Sequence, residues 1–296
     1  MSNTPQIVQR LWNFCDVLRD DGVSYGDYVE QLTYLLFLKM DQERREVGEG
    51  SAIPKDYQWE RLLKNEEGTK VRGQVLISQY QETLRGLQNE EGMIGIIFGR
   101  AQNRIQNPAR LRRLIDYINE ETWMGLDVDV KGDAYEGLLQ KNAQDTKSGA
   151  GQYFTPRPLI KAMVKVVDPK PDQTIADPAS GTGGFFLAAK DHITSEHTLD
   201  RDQKKRLRTD TFKGWEIVPN TARLCTMNLY LHGIGPETIG DGETPPIIVK
   251  DALRSAPSDR YDLVLTNPPF GKKSSFTVLN EKGESTKQTL TYERDD

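Results

Sequence analysis

A stretch with strand character, Thr174 to Ala179, runs directly into a glycine-rich turn and then into a helical pattern from Gly183 to about Ser195. The turn reads Asp177-Pro178-Ala179-Ser180-Gly181-Thr182-Gly183-Gly184-Phe185-Phe186. A strand that feeds a helix through so short a turn sends the chain back across a sheet, as half of a parallel crossover. The alternation recurs downstream. Phe212 to Ile217 reads as strand and Pro219 to Leu231 as helix, followed by strands at Ile247 to Val249 and Tyr261 to Thr266. Residues 146–296 are therefore predicted to form an α/β domain around a parallel sheet.

Residues 1–145 predict a separate, all-helical domain. Thr4 with Pro5 opens a first helix whose stripe is Val8, Leu11, Trp12, Cys15 and Leu18. A second begins near Asp27, with Tyr28, Leu32, Leu35, Leu36 and Met40 inward. Gly48 to Gly68 is polar and irregular. Further helices are expected over Val71 to Leu87, over Ala109 to Asn119 with Leu111, Leu114, Ile115 and Ile118 inward, and over Asp133 to Lys141. The small, polar run Lys141 to Gly151 reads as the linker.

Composition narrows the class. The apolar content of 36% suffices for a folded core. Two cysteines far apart are no disulfide framework and point to a reducing cytoplasm. Met1 to Arg19 has no signal-peptide pattern, and the longest apolar run, Leu35 to Leu38, cannot span a bilayer. The net charge of −5 argues against a chain that grips DNA alone, because phosphates are neutralised by Lys and Arg. Arg110, Arg112 and Arg113, and the run Lys204, Lys205, Arg206 and Arg208, are either phosphate contacts or solvated helix faces.

The glycine turn lets a ligand approach the backbone and offers helix N–H groups. It lacks the Gly-Lys-Ser/Thr of a phosphate loop, and Phe186 replaces the third glycine of a dinucleotide fingerprint. Asp177 ahead of the glycines disfavours phosphate and favours a cationic ligand such as S-adenosylmethionine. The alternative is an ordinary turn capped by Asp177. Glu216, ending the next strand in Gly214-Trp215-Glu216-Ile217, is placed to accept from ribose hydroxyls. Asp251 in Lys250-Asp251-Ala252 is a weaker candidate to accept from an adenine amine. Asn267-Pro268-Pro269-Phe270 follows the last strand. Its prolines stiffen the turn, two acceptors (the Asn267 side chain and the Pro268 carbonyl) suit an NH₂ group, and Phe270 offers a stacking face. That set fits a flipped nucleobase; a proline-stiffened turn is the alternative. In Gly151-Gln152-Tyr153-Phe154-Thr155-Pro156, Thr155 reads as a helix cap, and the aromatics either border the cofactor or pack in a hinge. Cys15 and Cys225 read as core residues. His192, His197 and His232 lack metal-ligand spacing, so no metal is expected.

Together these motifs resemble the amino-group DNA methyltransferases, and most closely the modification subunit of type I restriction-modification systems. The resemblance covers essentially the whole chain. It implies a helical N-terminal domain followed by a Rossmann-like S-adenosylmethionine-dependent methyltransferase domain. It implies adenine in DNA as target, S-adenosylmethionine as donor, and specificity and restriction subunits as partners. By position, Asp177, Ser180, Gly181, Thr182, Gly183 and Gly184 are implied to line the cofactor site. Glu216 meets its ribose and Asp251 its adenine, while Gln152, Tyr153, Phe154 and Thr155 close over it. Asn267, Pro268, Pro269 and Phe270 are implied to hold the flipped adenine for direct transfer to its exocyclic amine.

A sheet of that family has about seven strands, and four are readable here. A polar tail after Phe270 predicts a truncated product or a fragment with an incomplete sheet and an unpaired apolar edge. Two other readings follow. The chain methylates a protein glutamine or an RNA base, or it is a non-catalytic assembly module.

Overall fold

The longest helix among the described residues, α1 (Tyr25–Glu46), is buried on nearly every side rather than along one stripe. The computed structural model describes residue 9 and residues 22–46, 48, 51, 53–121, 123, 155–236, 244–252, 259–268, 275–279 and 285–289. Apart from residue 9, which is helical, the expected helix over Thr4 to Leu18 falls outside these residues, as do the helix over Asp133 to Lys141, the 141–151 linker and the boundary at 145. In α1 the expected Tyr28, Leu32, Leu35, Leu36 and Met40 are buried, but so are Tyr34, Phe37 and Leu38. Charges along it are satisfied locally. Lys39 pairs with Glu43 at 3.1 Å, and Asp41 takes Arg45 at 3.2 Å and the Ser51 hydroxyl at 2.8 Å.

Shorter helices surround α1. They are α2 (Glu60–Leu63), preceded by a single 3₁₀ turn at Lys55–Tyr57, then α3 (Gly73–Leu87), α4 (Gly92–Phe98) and α5 (Pro108–Glu120). The helix start at α5 is set by Asn107, whose side chain accepts from the Ala109 and Arg110 N–H groups, with Pro108 in the first turn. Its four expected inward residues are all fully buried. Two elements differ from the sequence expectation. Gly48 to Gly68 contains the 3₁₀ turn and α2. The apolar run in Gly92-Met93-Ile94-Gly95-Ile96-Ile97-Phe98 is helical, although it is too short and too uniformly apolar to show a period. Arg112, read above as part of a basic cluster, is buried. It donates to the Leu62 carbonyl at 2.8 Å and pairs with Asp116 at 2.8 Å, so it ties α5 to α2 and is no phosphate contact.

The second part opens with α6 (Arg157–Val167) and continues β1 (Ile175–Asp177), α7 (Gly184–Glu196), α8 (Arg201–Thr209), β2 (Phe212–Glu216), α9 (Pro219–Leu231), β3 (Ile247–Val249) and β4 (Leu263–Val264). The four strands form one parallel sheet in the order β3-β2-β1-β4. Ile175 pairs with Phe212 on one side and with Leu263 on the other. The parallel sheet and its four strands are those expected; β3 has the expected bounds, and β1, β2 and β4 are shorter. Helix α8 carries the Lys204 to Arg208 run, read above as phosphate contacts or a solvated helix face; its one buried apolar residue, Leu207, gave no stripe by which to assign the helix. Its start carries a capping box, Asp200 with Gln203. Among the described strands β3 and β4 form the edges of this sheet, and Val264 of β4 is exposed. The tail is more than a polar coil, since β5 (Ser275–Leu279) and β6 (Ser285–Thr289) form an antiparallel hairpin.

One core joins α6, α7 and α9 to the sheet through Ile160, Ile175, Phe186, Phe212, Ala222 and Ile247. Phe186 is fully buried with its ring 5.3 Å from that of Phe212. Helix α9 belongs to both halves. Its Met227 lies in the core of the N-terminal helices, with Leu224 and Tyr230 packed against it. No helix among the described residues is long and apolar enough to cross a membrane.

Candidate active site

The strand order places a topological switch between β1 and β4. From β1 the chain winds one way to β2 and β3, then returns to the other flank of β1 for β4. Open parallel sheets leave a crevice at the carboxyl ends of the strands where the winding reverses. Asp177 ends β1, and Asn267 follows β4 by two residues after Leu265, whose N–H donates to the Ala176 carbonyl at 3.0 Å. The two specific sequence motifs therefore flank the same crevice.

The glycine turn is held from three directions. Ser180 N–H donates to the Trp215 carbonyl at 2.9 Å, and the Ser180 hydroxyl reaches the Asp177 and Trp215 carbonyls at 3.0 and 3.2 Å. Ser180 thus faces inward and pins the turn to β2. Glu216 reaches across from β2 and accepts from the Gly181 N–H at 3.1 Å and from the Val218 N–H at 2.8 Å. A carboxylate has about four lone-pair sites, so Glu216 keeps acceptor capacity for a ligand. From below, Asn228 of α9 donates to the Thr182 carbonyl at 2.9 Å. Gly183 adopts φ +84°, and a Cβ there would stand 3.1 Å from both Cys225 Sγ and Leu229 Cδ2. Only glycine allows both that conformation and that approach. Gly184 opens α7 beneath Arg157 and Ile160, which leave little room for a side chain.

Asp177 is buried, with only 1% exposure. Burial pushes its carboxyl up to about 6, the Glu216 carboxylate adds to that, and the Ala179 N–H at 3.0 Å opposes it. The folded value lies above the ordinary one near 4. The native protein therefore holds the extra proton between about pH 4 and 6, and stability falls as pH rises through that window. The penalty at neutral pH is on the order of 3 kcal/mol. A cation beside Asp177 would remove much of it. Burial also pushes the Cys225 thiol up, and the Asp177 and Glu216 carboxylates add to this, so Cys225 stays a protonated core residue.

Asn267 donates from Nδ2 to the Thr155 hydroxyl at 3.0 Å. This leaves its Oδ1 as an acceptor for a ligand. Thr155 does not cap α6. The capping position is Pro156, and no side chain accepts there, so the Thr155 hydroxyl is free to orient Asn267 instead. Thr155→Val, which keeps the shape and removes the hydroxyl, is expected to lower turnover about tenfold by leaving the amide unsupported. Steady-state transfer assays on the two proteins check this.

Lys250 N–H donates to the Glu216 carbonyl at 3.2 Å, which brings the half-buried Asp251 beside the end of β2. Gln152, Tyr153, Phe154, Pro269 and Phe270 lie outside the described residues, as does Cys15. Pro268 is exposed. The sequence reading missed Asn228 and Arg157. Arg157 was visible beside Thr155-Pro156, and Asn228 gave no local signal. Among the described residues no group of His, Cys, Asp and Glu is arranged to hold a metal.

Residues 126–294 match the family N-6 DNA Methylase, and residues 7–118 match the HsdM N-terminal domain. The chain is 38% identical over 298 residues to the type I restriction enzyme StySJI methylase subunit of Salmonella typhimurium, covering 93% of this chain and 52% of that protein. It is 37% identical to the EcoKI methylase subunit of Escherichia coli K12, with the same coverage. The chain spans about half the length of these curated relatives. A modification subunit of a putative type I restriction enzyme from Vibrio vulnificus YJ016 superposes with a TM-score of 0.69 at 27% identity, over 92% of this chain and 62% of the other. A structure from a study of type I system assembly and conformational transition superposes with a TM-score of 0.74 at 26% identity, over 93% and 57%. The matched families, the helical half and the parallel sheet with its flanked crevice agree: the chain belongs to the N-6 DNA methylases, in the branch of the type I restriction enzyme methylase subunits.

Proposed function

We propose that this chain is the catalytic part of an adenine-specific DNA methyltransferase that takes its methyl group from S-adenosylmethionine. One observation carries the reading: Asp177 and Asn267 stand at the carboxyl ends of β1 and β4, on either side of the switch point. The donor set fits a cationic, phosphate-free cofactor. Asp177 is a buried acid awaiting a positive charge, Glu216 retains acceptor sites for ribose, and Gly181 leaves the backbone open. Arg157, at the start of α6 and over Gly184, supplies positive charge for a carboxylate. Gln152, Tyr153, Phe154 and Asp251 complete the proposed cofactor shell. When bound, S-adenosylmethionine supplies an electrophilic methyl group on a sulfonium.

Asn267 Oδ1 and the Pro268 carbonyl accept the two amino protons of the flipped adenine. This turns the nitrogen lone pair toward the methyl carbon. Pro269 stiffens the turn and Phe270 stacks on the base. Held by Asp177, Glu216 and the glycine turn, the cofactor would supply its methyl group to that lone pair, and the amine would release one proton to water. Partner subunits supply base-edge recognition and much of the DNA grip, which accords with a chain of net charge −5. The protein works in the cytoplasm.

The cofactor assignment is tested by calorimetry in buffers of different ionisation enthalpy. A cation beside Asp177 favours its ionised form, so binding near pH 6 is expected to release a proton, and affinity to fall as pH drops through 6. Asp177→Ala is expected to abolish both effects. Tight binding with no proton release would contradict the placement of the cofactor's charge at Asp177.

A further inference from the structure

Helix α9 presents two chemically distinct faces. Arg223, Leu224, Met227 and Tyr230 face the N-terminal helices. Cys225, Asn228 and Leu229, at the i, i+3, i+4 spacing of the other face, carry the glycine turn. Asn228 is fully buried. Its Nδ2 holds the Thr182 carbonyl at 2.9 Å, while its Oδ1 is buried without a hydrogen-bond partner among the described residues. A half-satisfied amide in an apolar setting costs stability. A leucine of similar size would fill the same space without that cost. The amide is therefore explained by what it holds, since a free Thr182 carbonyl would let the turn between Gly181 and Gly183 rotate.

We propose that Asn228 is a positioning residue that fixes the glycine turn in the conformation that receives the cofactor. It acts through Thr182 and touches neither cofactor nor base. The inference rests on the cofactor reading above, so its test includes one measurement that needs no cofactor. The full chain and its Asn228→Leu and Asn228→Ala variants are compared by thermal melting, by calorimetry with S-adenosylmethionine, and by amide hydrogen exchange of the unliganded protein across 178–187.

Asn228→Leu is expected to keep its melting temperature within about 4 °C of the parent. Its dissociation constant should rise about tenfold, and exchange at Gly181 to Gly184 should accelerate. In transfer assays the KM for S-adenosylmethionine should rise while kcat at saturation stays close to the parent value. Asn228→Ala is expected to show the same losses, and it serves if the leucine variant fails to fold. Parental exchange and affinity in a folded variant would overturn the proposal. If the parent binds no S-adenosylmethionine but exchange still accelerates in the variant, Asn228 positions the turn as proposed and the cofactor reading fails.

Discussion

Replacing Asn267 by alanine is expected to lower methyl transfer at least a hundredfold while leaving S-adenosylmethionine binding nearly intact. Groups that meet charge or lone-pair changes only in the transition state contribute on the order of 10²–10³ in rate. The assigned acceptor, Asn267 Oδ1, is of that kind. The amide is pre-aimed, because Thr155 takes its Nδ2 at 3.0 Å and spares the base from having to order it. Asn267 follows β4, whereas the proposed cofactor shell is built from the ends of β1, β2 and β3. The two functions should therefore separate, with kcat collapsing and the cofactor dissociation constant changing little. Single-turnover transfer from labelled cofactor, paired with calorimetry, reads both. Transfer that survives the substitution would remove Asn267 from the chemistry.

The second large effect concerns the joint between the two halves. Arg223 of α9 is 3% exposed, pairs with Glu30 of α1, donates to the Gly99 carbonyl after α4, and lies 5.5 Å over the ring of Tyr34. Arg44 donates to the Tyr230 hydroxyl at 2.7 Å, and Phe37 packs 4.7 Å from the Tyr230 ring. Arg223→Met is expected to destabilise the protein by about 3–5 kcal/mol, because Glu30 then keeps a largely buried, uncompensated charge. Adding Glu30→Gln should recover part of the loss, so the pair will be non-additive. Urea melts of the single and double variants measure this. An Arg223→Met protein as stable as the parent would show that the ion pair does not hold the halves together.

The sheet and the site were legible in the sequence to different depths. Strand–turn–helix alternation placed all four parallel strands, because β-rich apolar runs bounded by glycine and proline leave few alternatives. Helix α5 was legible from Leu111, Leu114, Ile115 and Ile118, which repeat at helical spacing. Helix α4 was not, since an all-apolar segment of seven residues has no face to detect. Helix α8 was read only as a possible solvated face, without bounds, because it has almost no apolar residue, although its Asp200–Gln203 capping box was present in the sequence. Among the candidate site residues, Asp177 and Glu216 were singled out from their place after strands, and the fold brings both to the glycine turn. The role of Thr155 was misread because a Thr before a proline is a common cap, and its true partner lies 112 residues away. Asn228 and Arg223 were invisible for the same reason. Their partners, Thr182 and Glu30, are brought to them only by the packing of α9 between two cores.

The most direct test of the account is nucleoside analysis by mass spectrometry. The chain is incubated with S-adenosylmethionine carrying a labelled methyl group, with duplex DNA, RNA and bystander protein present, and with and without the DNA-specificity subunit of a type I system. The account predicts label in N6-methyladenine of the DNA, increased by the specificity subunit and lost in Asn267→Ala. Label in protein glutamine or in RNA, with none in DNA, would contradict it.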